Sequence, residues 1–239
     1  LDRWSPRPPG RSDATGPRLD PIPRPEGGIR WITRLDRAAE AEYRQAVLPL
    51  AGRIERALGR EVFAVRTVPV AGGWRLAPWQ PARAAWRRAL REVVQRATSD
   101  MAFAVADVRD CYGSIAPGTI ASLLGSDAAG AVAFLHGLRE RGVRGLPVGP
   151  DPSALLANAV LAELDRAIRT TGARHLRWVD DVFLWGSEAD VRQALVALER
   201  IADRMGLSLH REKTRRLEGA DDARAVALGD RDSSIIASP

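Results

Sequence analysis

Two spacings of apolar residues divide this chain. From 36 to 59, Ala39, Tyr43, Val47, Leu48, Leu50, Ile54 and Leu58 recur at helical intervals, and Pro49 predicts a break near the middle. A second helix is predicted over 81–97, opened by Pro81, with Ala84, Ala85, Leu90, Val93 and Val94 inward. Short runs rich in β-branched and aromatic residues predict strands at Glu61–Arg66, at Ala102–Ala106, and on both sides of the pair Asp180-Asp181. Helices are expected over 117–125 and 128–141. A Gly/Pro loop from Gly145 then feeds a long helix, with Ser153 as its N-cap and Leu155, Leu156, Ala159, Val160, Leu164 and Ile168 on its apolar face. A further amphipathic helix runs from Ser187 or Glu188 to Met205 and is capped by Gly206. Leu207–His210 and the segment ending at Leu217 read as two strands around a turn.

The ends differ from this middle. Residues 1–28 hold seven prolines and several arginines, a composition that predicts an extended arm. Within it, Pro21–Arg24 and Ile29–Ile32 flank Glu26-Gly27-Gly28 and predict a hairpin that carries Arg24 and Arg30. Residues 219–239 are acidic and small and predict a loose tail.

Hydrophobic residues are 45% of the 239, enough for one large domain or two small ones. A single cysteine, Cys111, excludes an internal disulfide and a multi-cysteine zinc site. His136, His175 and His210 lack ligand spacing. No apolar run is read as long enough to span a bilayer and no signal peptide opens the chain, so a cytoplasmic setting without a membrane is expected. The first residue is Leu1, which fits a fragment or a processed form. The formal charge of +6 suits a polyanionic partner. Almost all the basic residues are arginine, and Lys213 is the only lysine. The arginines of the 81–97 helix form either a solvated face or a face for a nucleic-acid backbone.

The candidate chemistry is acidic. Asp180 and Asp181 sit between two apolar runs, at the tip of a predicted hairpin, and two carboxylates that close repel unless a proton or a cation intervenes. Asp107 ends a buried strand, where a carboxylate is costly unless paired or metal-bound. The loop at 145–153 offers backbone N–H groups near a helix start, favourable for anions.

Four signals stand in a fixed order. Asp107 is followed by Tyr112 and by Ser114-Ile115. Gly145-Leu146-Pro147-x-Gly149 is followed by Ser153 and Leu156-Ala157-Asn158. Trp178-Val179-Asp180-Asp181 lies inside a hairpin, and Gly206-Leu207-x-Leu209 precedes Lys213-Thr214. Together, over about residues 21–218, they resemble the reverse transcriptase family, above all its bacterial retron-like and group II intron-like branches.

The resemblance implies an α+β right-hand polymerase, with an antiparallel palm sheet packed on helices. Its parts would be a flexible arm (1–20), fingers (21–98), palm (99–116), a fingers–palm connection (117–150), palm again (151–218) and the tail (219–239). It implies that Asp107, Asp180 and Asp181, with Val108 alongside, hold two Mg²⁺ ions, which Mn²⁺ can replace. Arg24 and Arg30 would clasp a dNTP triphosphate, with Arg109, Asp110 and Cys111 beside it. Asp110 reads as turn structure rather than a third metal ligand. Tyr112 would pack under the sugar and exclude a 2′-OH. Lys213 would protonate the departing pyrophosphate. Pro147, Val148 and Gly149 would pack at the templating pair, Ser153 and Asn158 would brace the helix, and Trp178 would lie near the primer end. The implied activity is RNA-directed DNA synthesis on an RNA template with a DNA or RNA primer, in a bacterial retroelement or a phage-defence system.

The chain departs from the family's pattern in three places. Trp178 stands where the family has tyrosine, Val148 stands where it has glutamine, and no thumb follows residue 218. The last implies truncation, or a partner protein or non-coding RNA that supplies the thumb function, or poor processivity. Three other readings remain open: a template-independent or self-priming polymerase on the same palm, a non-catalytic nucleic-acid-binding subunit, and a phosphoacceptor domain with an acidic Mg²⁺ pocket. The hairpin around Asp180 argues against the last, which needs parallel strands.

Overall fold

The computed structural model describes residues 16–23 and 28–229. Two strands, β1 (Arg18–Pro23) and β2 (Ile29–Arg34), form the predicted hairpin, with Pro23 opposite Ile29. β1 therefore takes in residues 18–20, which the sequence assigned to the arm. Residues 1–15 of that arm lie outside the described residues. The first helical pattern resolves as α1 (Arg37–Val47), a 3₁₀ turn over Leu48–Leu50, and α2 (Ala51–Ala57). Pro49 accounts for the interruption, because it lacks the N–H that a continuous helix would use. The Asp36 side chain caps α1 by accepting from Ala39 N–H at 2.8 Å.

The strand expected at Glu61–Arg66 does not form as such. Only Val62 bridges, in parallel, to Arg177, and Val65 turns to φ 55°. The carbonyls of Ala64 and Val65 face a buried side chain instead of a neighbouring strand. A hairpin missed in the sequence follows: β3 (Thr67–Val70) and β4 (Gly73–Leu76) around Ala71-Gly72.

Helix α3 (Trp79–Gln95) begins two residues ahead of the expected start. Its buried residues are Trp86, Leu90 and Val94, so the inward stripe expected from Ala84 and Ala85 is displaced toward Trp86. Strand β5 (Ala102–Asp107) runs into the short α4 (Cys111–Ser114), then α5 (Pro117–Leu124), a 3₁₀ turn over Gly125–Ala128, and α6 (Ala129–Glu140). By length and composition the stretch Pro117–Glu140 is apolar enough to cross a membrane, which corrects the sequence reading that no such run exists. It is not one straight helix. Gly125 at φ 62° divides it, and Ile120, Leu124, Ala128, Ala131 and Leu135 join the main core.

The long α7 (Asp151–Arg169) starts two residues before Ser153, with Pro150 as the residue ahead of it. Ser153 is therefore not the N-cap. It is fully buried, and its hydroxyl lies 3.1 Å from that of Tyr43. Strands β6 (Arg174–Trp178) and β7 (Asp181–Gly186) flank the acidic turn. Helix α8 (Glu188–Arg204) is capped by Ser187, whose hydroxyl accepts from Asp190 N–H. Strand β8 (Arg215–Leu217) precedes α9 (Gly219–Leu228). The loose tail expected from residue 219 is in fact helical to Leu228. Its small residues Ala223 and Ala227, with Val226, allow it to pack closely against α3 and the sheet.

The sheet has the order β6-β7-β5-β8 and is antiparallel throughout. Alternation gives it two apolar faces. Ala104, Ala106, Val182 and Leu184 face the larger core, which α1, α7 and α8 complete. Phe103, Val105, Leu176, Trp178, Phe183, Trp185 and Leu217 face a second core closed by α3 and α9. Trp86 anchors that second layer, with its ring 5.6 Å from that of Trp178. Replacing Trp86 with alanine should lower unfolding stability by about 3–5 kcal/mol, measured by urea denaturation. A loss below about 1 kcal/mol would mean that α3 is not held to the sheet through this ring.

Candidate active site

Cross-strand register builds the site. Asp107, at the end of β5, is paired with Asp181, the first residue of β7. Both lie on the face of the second core, two residues on from Val105 and two before Phe183, at the margin of that apolar layer. The two carboxyl groups lie close enough to act on each other's protonation. Asp180 occupies the turn itself and is half-buried.

The pKa of all three is raised. Burial is the largest cause in each case. The Asp107 charge adds to it for Asp180, which is pushed up to about 6. Asp180 and Asp107 together push Asp181 well above the ordinary carboxylate range. Asp107 also rises, against the opposing pull of Lys213 and His210. Lys213 Nζ stands 3.7 Å from Asp107 Oδ2. The turn that carries it is fastened to the aspartate's own backbone: His210 N–H donates to Asp107 O at 2.8 Å, and Asp107 N–H donates to Thr214 Oγ1 at 3.3 Å.

The hairpin tip is strained and braced. A two-residue loop with positive φ only at its first residue favours glycine there. Val179 holds that place at φ 53°. Its carbonyl accepts from Arg177 Nη1 at 2.7 Å. Arg177 is fully buried and points to the α7 side of the sheet, opposite Leu176 and Trp178. It makes a bidentate pair with Asp165, with both contacts at 2.8 Å, and also donates to Asn158 Oδ1 at 3.0 Å. His175 Nε2 lies 3.0 Å from the same Asp165. Asn158 in turn donates to the carbonyls of Ala64 and Val65. Burial acts to raise the Asp165 pKa, but the Arg177 charge and the hydrogen bonds from His175 and Arg177 hold it down at about 2.

The glycine loop forms the opposite wall. Gly145 adopts φ 64°, and a Cβ there would come within 2.4 Å of Tyr112 O. Leu146 N–H donates to that same carbonyl at 2.8 Å. Val148 O accepts from Thr33 N–H at 2.7 Å, so β2 is seated on the loop. Arg30, on β2, is close enough for its charge to act on both Asp180 and Tyr112. Tyr112 itself is pushed up, chiefly by burial, and feels Asp180 as well.

Other expected positions fall differently. Arg24 lies outside the described residues. Trp178 is 6% exposed and packed against Trp86, so its ring belongs to the second core rather than to an open primer end. Ser153 and Asn158, expected to brace the helix, are buried and hydrogen-bonded in the interior, which leaves them no surface for primer or template. Val108 is buried and bridges to Leu209, and Arg109 N–H is committed to Ser208 O. Asp110 stands at φ 46° and is ion-paired with Arg144. Cys111 is buried, which raises its thiol pKa, and Pro147 is buried, whereas Gly149 is exposed. Arg177, Asp165 and His210 escaped the sequence reading. The signal for Arg177 was an arginine on the inward face of an apolar strand, which needs a buried acid across from it.

Among the described residues, no three His, Cys, Asp or Glu side chains close round a point as they would round an ion. Asp107, Asp180 and Asp181 are three neighbouring carboxyl groups whose charge is offset in part by Lys213, with Arg30 acting on Asp180, and oxygen donors of this kind are those that would suit a hard divalent cation.

No protein-family model matches this sequence, and no curated protein does. Solved structures do. Telomerase from Candida tropicalis, in complex with a TWJ fragment of telomeric RNA, is similar with TM-score 0.57 and 11% identity over 85% of this chain and 41% of that one. The corresponding Candida albicans telomerase gives TM-score 0.55 and 11% identity, over 85% and 42%. A chain of an RdRp complex gives 0.53 and 12%, over 84% and 20%. The fold is polymerase-like. The chain spans less than half the length of these polymerases.

Two outcomes follow from the site's charges. The depressed Asp165 contributes stability that is present above pH 4 and lost as pH falls toward 2, about 2 kcal/mol in all. The raised site carboxylates act in the other direction: stability should fall as pH rises from about 4 through 6, because the folded state holds protons that the unfolded chain releases. Denaturant melts across this range should show the second slope in the wild type and lose it in the D180N/D181N variant. An unchanged slope would exclude carboxylate crowding. Separately, Arg177→Leu should cost about 3–5 kcal/mol by leaving Asp165 buried without its partner, as read by thermal or urea unfolding.

Proposed function

We propose that this chain is a nucleotidyltransferase, an RNA-directed DNA polymerase that adds dNTPs to a primer 3′-hydroxyl. The observation that carries the reading is the register pairing of Asp107 with Asp181 beside Asp180, on a polymerase-like fold. Asp107, Asp180 and Asp181 would hold two Mg²⁺ ions, which when bound acidify the 3′-hydroxyl and offset the triphosphate's charge. The chain's own residues supply the rest. Lys213, beside Asp107, carries a proton toward the departing pyrophosphate. Arg30 brings a positive charge near Asp180 from the hairpin seated on Val148, where a triphosphate would need it. Tyr112, held by the Gly145 loop, presents a ring against the sugar and leaves no space for a 2′-OH. The Arg177–Asp165–Asn158 brace holds the acidic turn in its strained form, so that the carboxylates need not reorganise when substrate arrives. The RNA template, the primer and a partner for duplex holding are part of this proposal, as is a role in a retroelement or in phage defence.

The test is incorporation of each dNTP and NTP on a defined RNA template, with and without Mg²⁺, beside a no-template control. The expected result is Mg²⁺-dependent, template-directed incorporation that favours dNTPs and is abolished in D180A/D181A. Mg²⁺ should also raise the melting temperature of the wild type and not of that variant. Equal incorporation without template would move the assignment to a template-independent polymerase. Incorporation unchanged in D180A/D181A would remove the carboxylates from the chemistry.

A further inference from the structure

Helix α3 lies on the same sheet face as Asp107 and Asp181, and its N-terminal half reaches the acidic hairpin. The guanidinium of Arg83 stands 6.0 Å from the centre of the Trp178 ring. It is also near enough to Asp181 to feel its charge, and near enough to Arg87 to be repelled. From there the helix runs along the second core through Trp86, Leu90 and Val94. Trp79, Arg83, Arg87, Arg91 and Gln95 follow at four-residue intervals without an acidic residue, a ridge that starts over that buried stripe and winds away from it toward the helix C-terminus. Trp79 is a large ring left 48% exposed. Arg87 and Arg91 are exposed and, among the described residues, have no acid at ion-pair distance. Arg87 and Arg91 are like charges one turn apart, and an anion lying along them would relieve their mutual repulsion.

We propose that this ridge of α3 is a track for a nucleic-acid strand, which Arg83, Arg87 and Arg91 hold by its phosphodiester backbone while Trp79 stacks on a base. This deepens the polymerase reading and rests on it for direction: one end of the track is the catalytic hairpin. Arg83 to Arg91 covers about 12 Å of helix, the axial length of roughly three to four nucleotides. Trp79 stands one turn before Arg83, in the arrangement by which aromatic side chains accept unpaired bases. The track runs along the helix that closes the second core, so strand binding and the integrity of that core share one element. A phosphate row read in this way carries no sequence preference.

The experiment measures binding in EDTA and without nucleotides, so that it does not depend on catalysis. A fluorescein-labelled poly-dT strand, the same strand with abasic sugars, and an RNA–DNA hybrid are titrated against the full chain from about 50 to 200 mM salt. In R87Q/R91Q the slope of log affinity on log salt should flatten by roughly 1.4 to 1.8, for two lost phosphate contacts. The control R200Q/R204Q, on exposed positions of α8 against the other sheet face, should leave the slope unchanged. Trp79→Ala should weaken binding to poly-dT several-fold and leave the abasic strand unaffected. The arms identify the occupant: a greater loss on poly-dT assigns a single strand, and a greater loss on the hybrid assigns the duplex backbone. An equal change in both arginine pairs, or none in R87Q/R91Q, overturns the track. A flattened slope in a chain that incorporates no dNTP would keep the track and discard the polymerase reading. Normal incorporation with an unaltered slope would do the reverse.

Discussion

Asp107 and Asp181 are held opposite one another because β5 and β7 pair in a single register, and Asp180 follows from the turn that this pairing forces. Like charges in contact at the margin of an apolar layer are unfavourable. They persist here because slipping β7 by one residue would send Phe183 and Trp185 out of one core and Val182 and Leu184 out of the other. The cost of the acidic cluster is thus borne by the packing of the same strands. The charge it concentrates is what a cation, or a substrate brought with one, would relieve.

The two sides of the sheet do different work. On the α7 side, a buried arginine with four directed hydrogen bonds fixes the turn and ties it to Asn158 and the 61–65 segment. On the other side, α3 and α9 close an apolar layer that ends at the aspartates, where Trp86 and Asp181 line the wall of a small cavity. The Trp86 indole N–H is buried in that layer and has no hydrogen-bond partner among the described residues. The loop at Gly145–Gly149 links the two halves of the site, since it contacts Tyr112 beneath and β2 above. Tyr112 and the strand that carries Arg30 are therefore placed by one short segment whose Gly145 has no room for a side chain.

Much of the site could be read in the residues themselves. Asp107 at the end of an apolar run, the Asp180-Asp181 turn, the lone Lys213 and the glycine loop all carry local signatures, and the structure brings Asp107, Asp180, Asp181, Lys213, Arg30 and Tyr112 into one region. Readings that depended on a residue's distant neighbours fared worse. Ser153 has the chemistry of an N-cap, yet the helix starts earlier and its hydroxyl turns to Tyr43. Glu61–Arg66 has strand composition, yet Asn158 takes its carbonyls. The acidic composition after residue 218 hid the small apolar face by which α9 binds α3.

The amino-acid order by itself determined most of the helices, the strands β5, β6 and β7 and the acidic turn, because spacing and turn chemistry act over a few residues; it did not determine α9 or the β3–β4 hairpin, and the strand expected at Leu207–His210 is reduced to a bridge from Leu209 to Val108. It also put Asp107 at the end of one apolar run and Asp180-Asp181 between two others, the positions from which the strands bring them together. Only the tertiary structure decided that Trp178 would be covered, that Arg177 would find Asp165, and that α3 would lie with Arg83 near Asp181. Those outcomes depend on which faces meet across long sequence separations, where burial and charge pairing are settled by contacts that no local window contains.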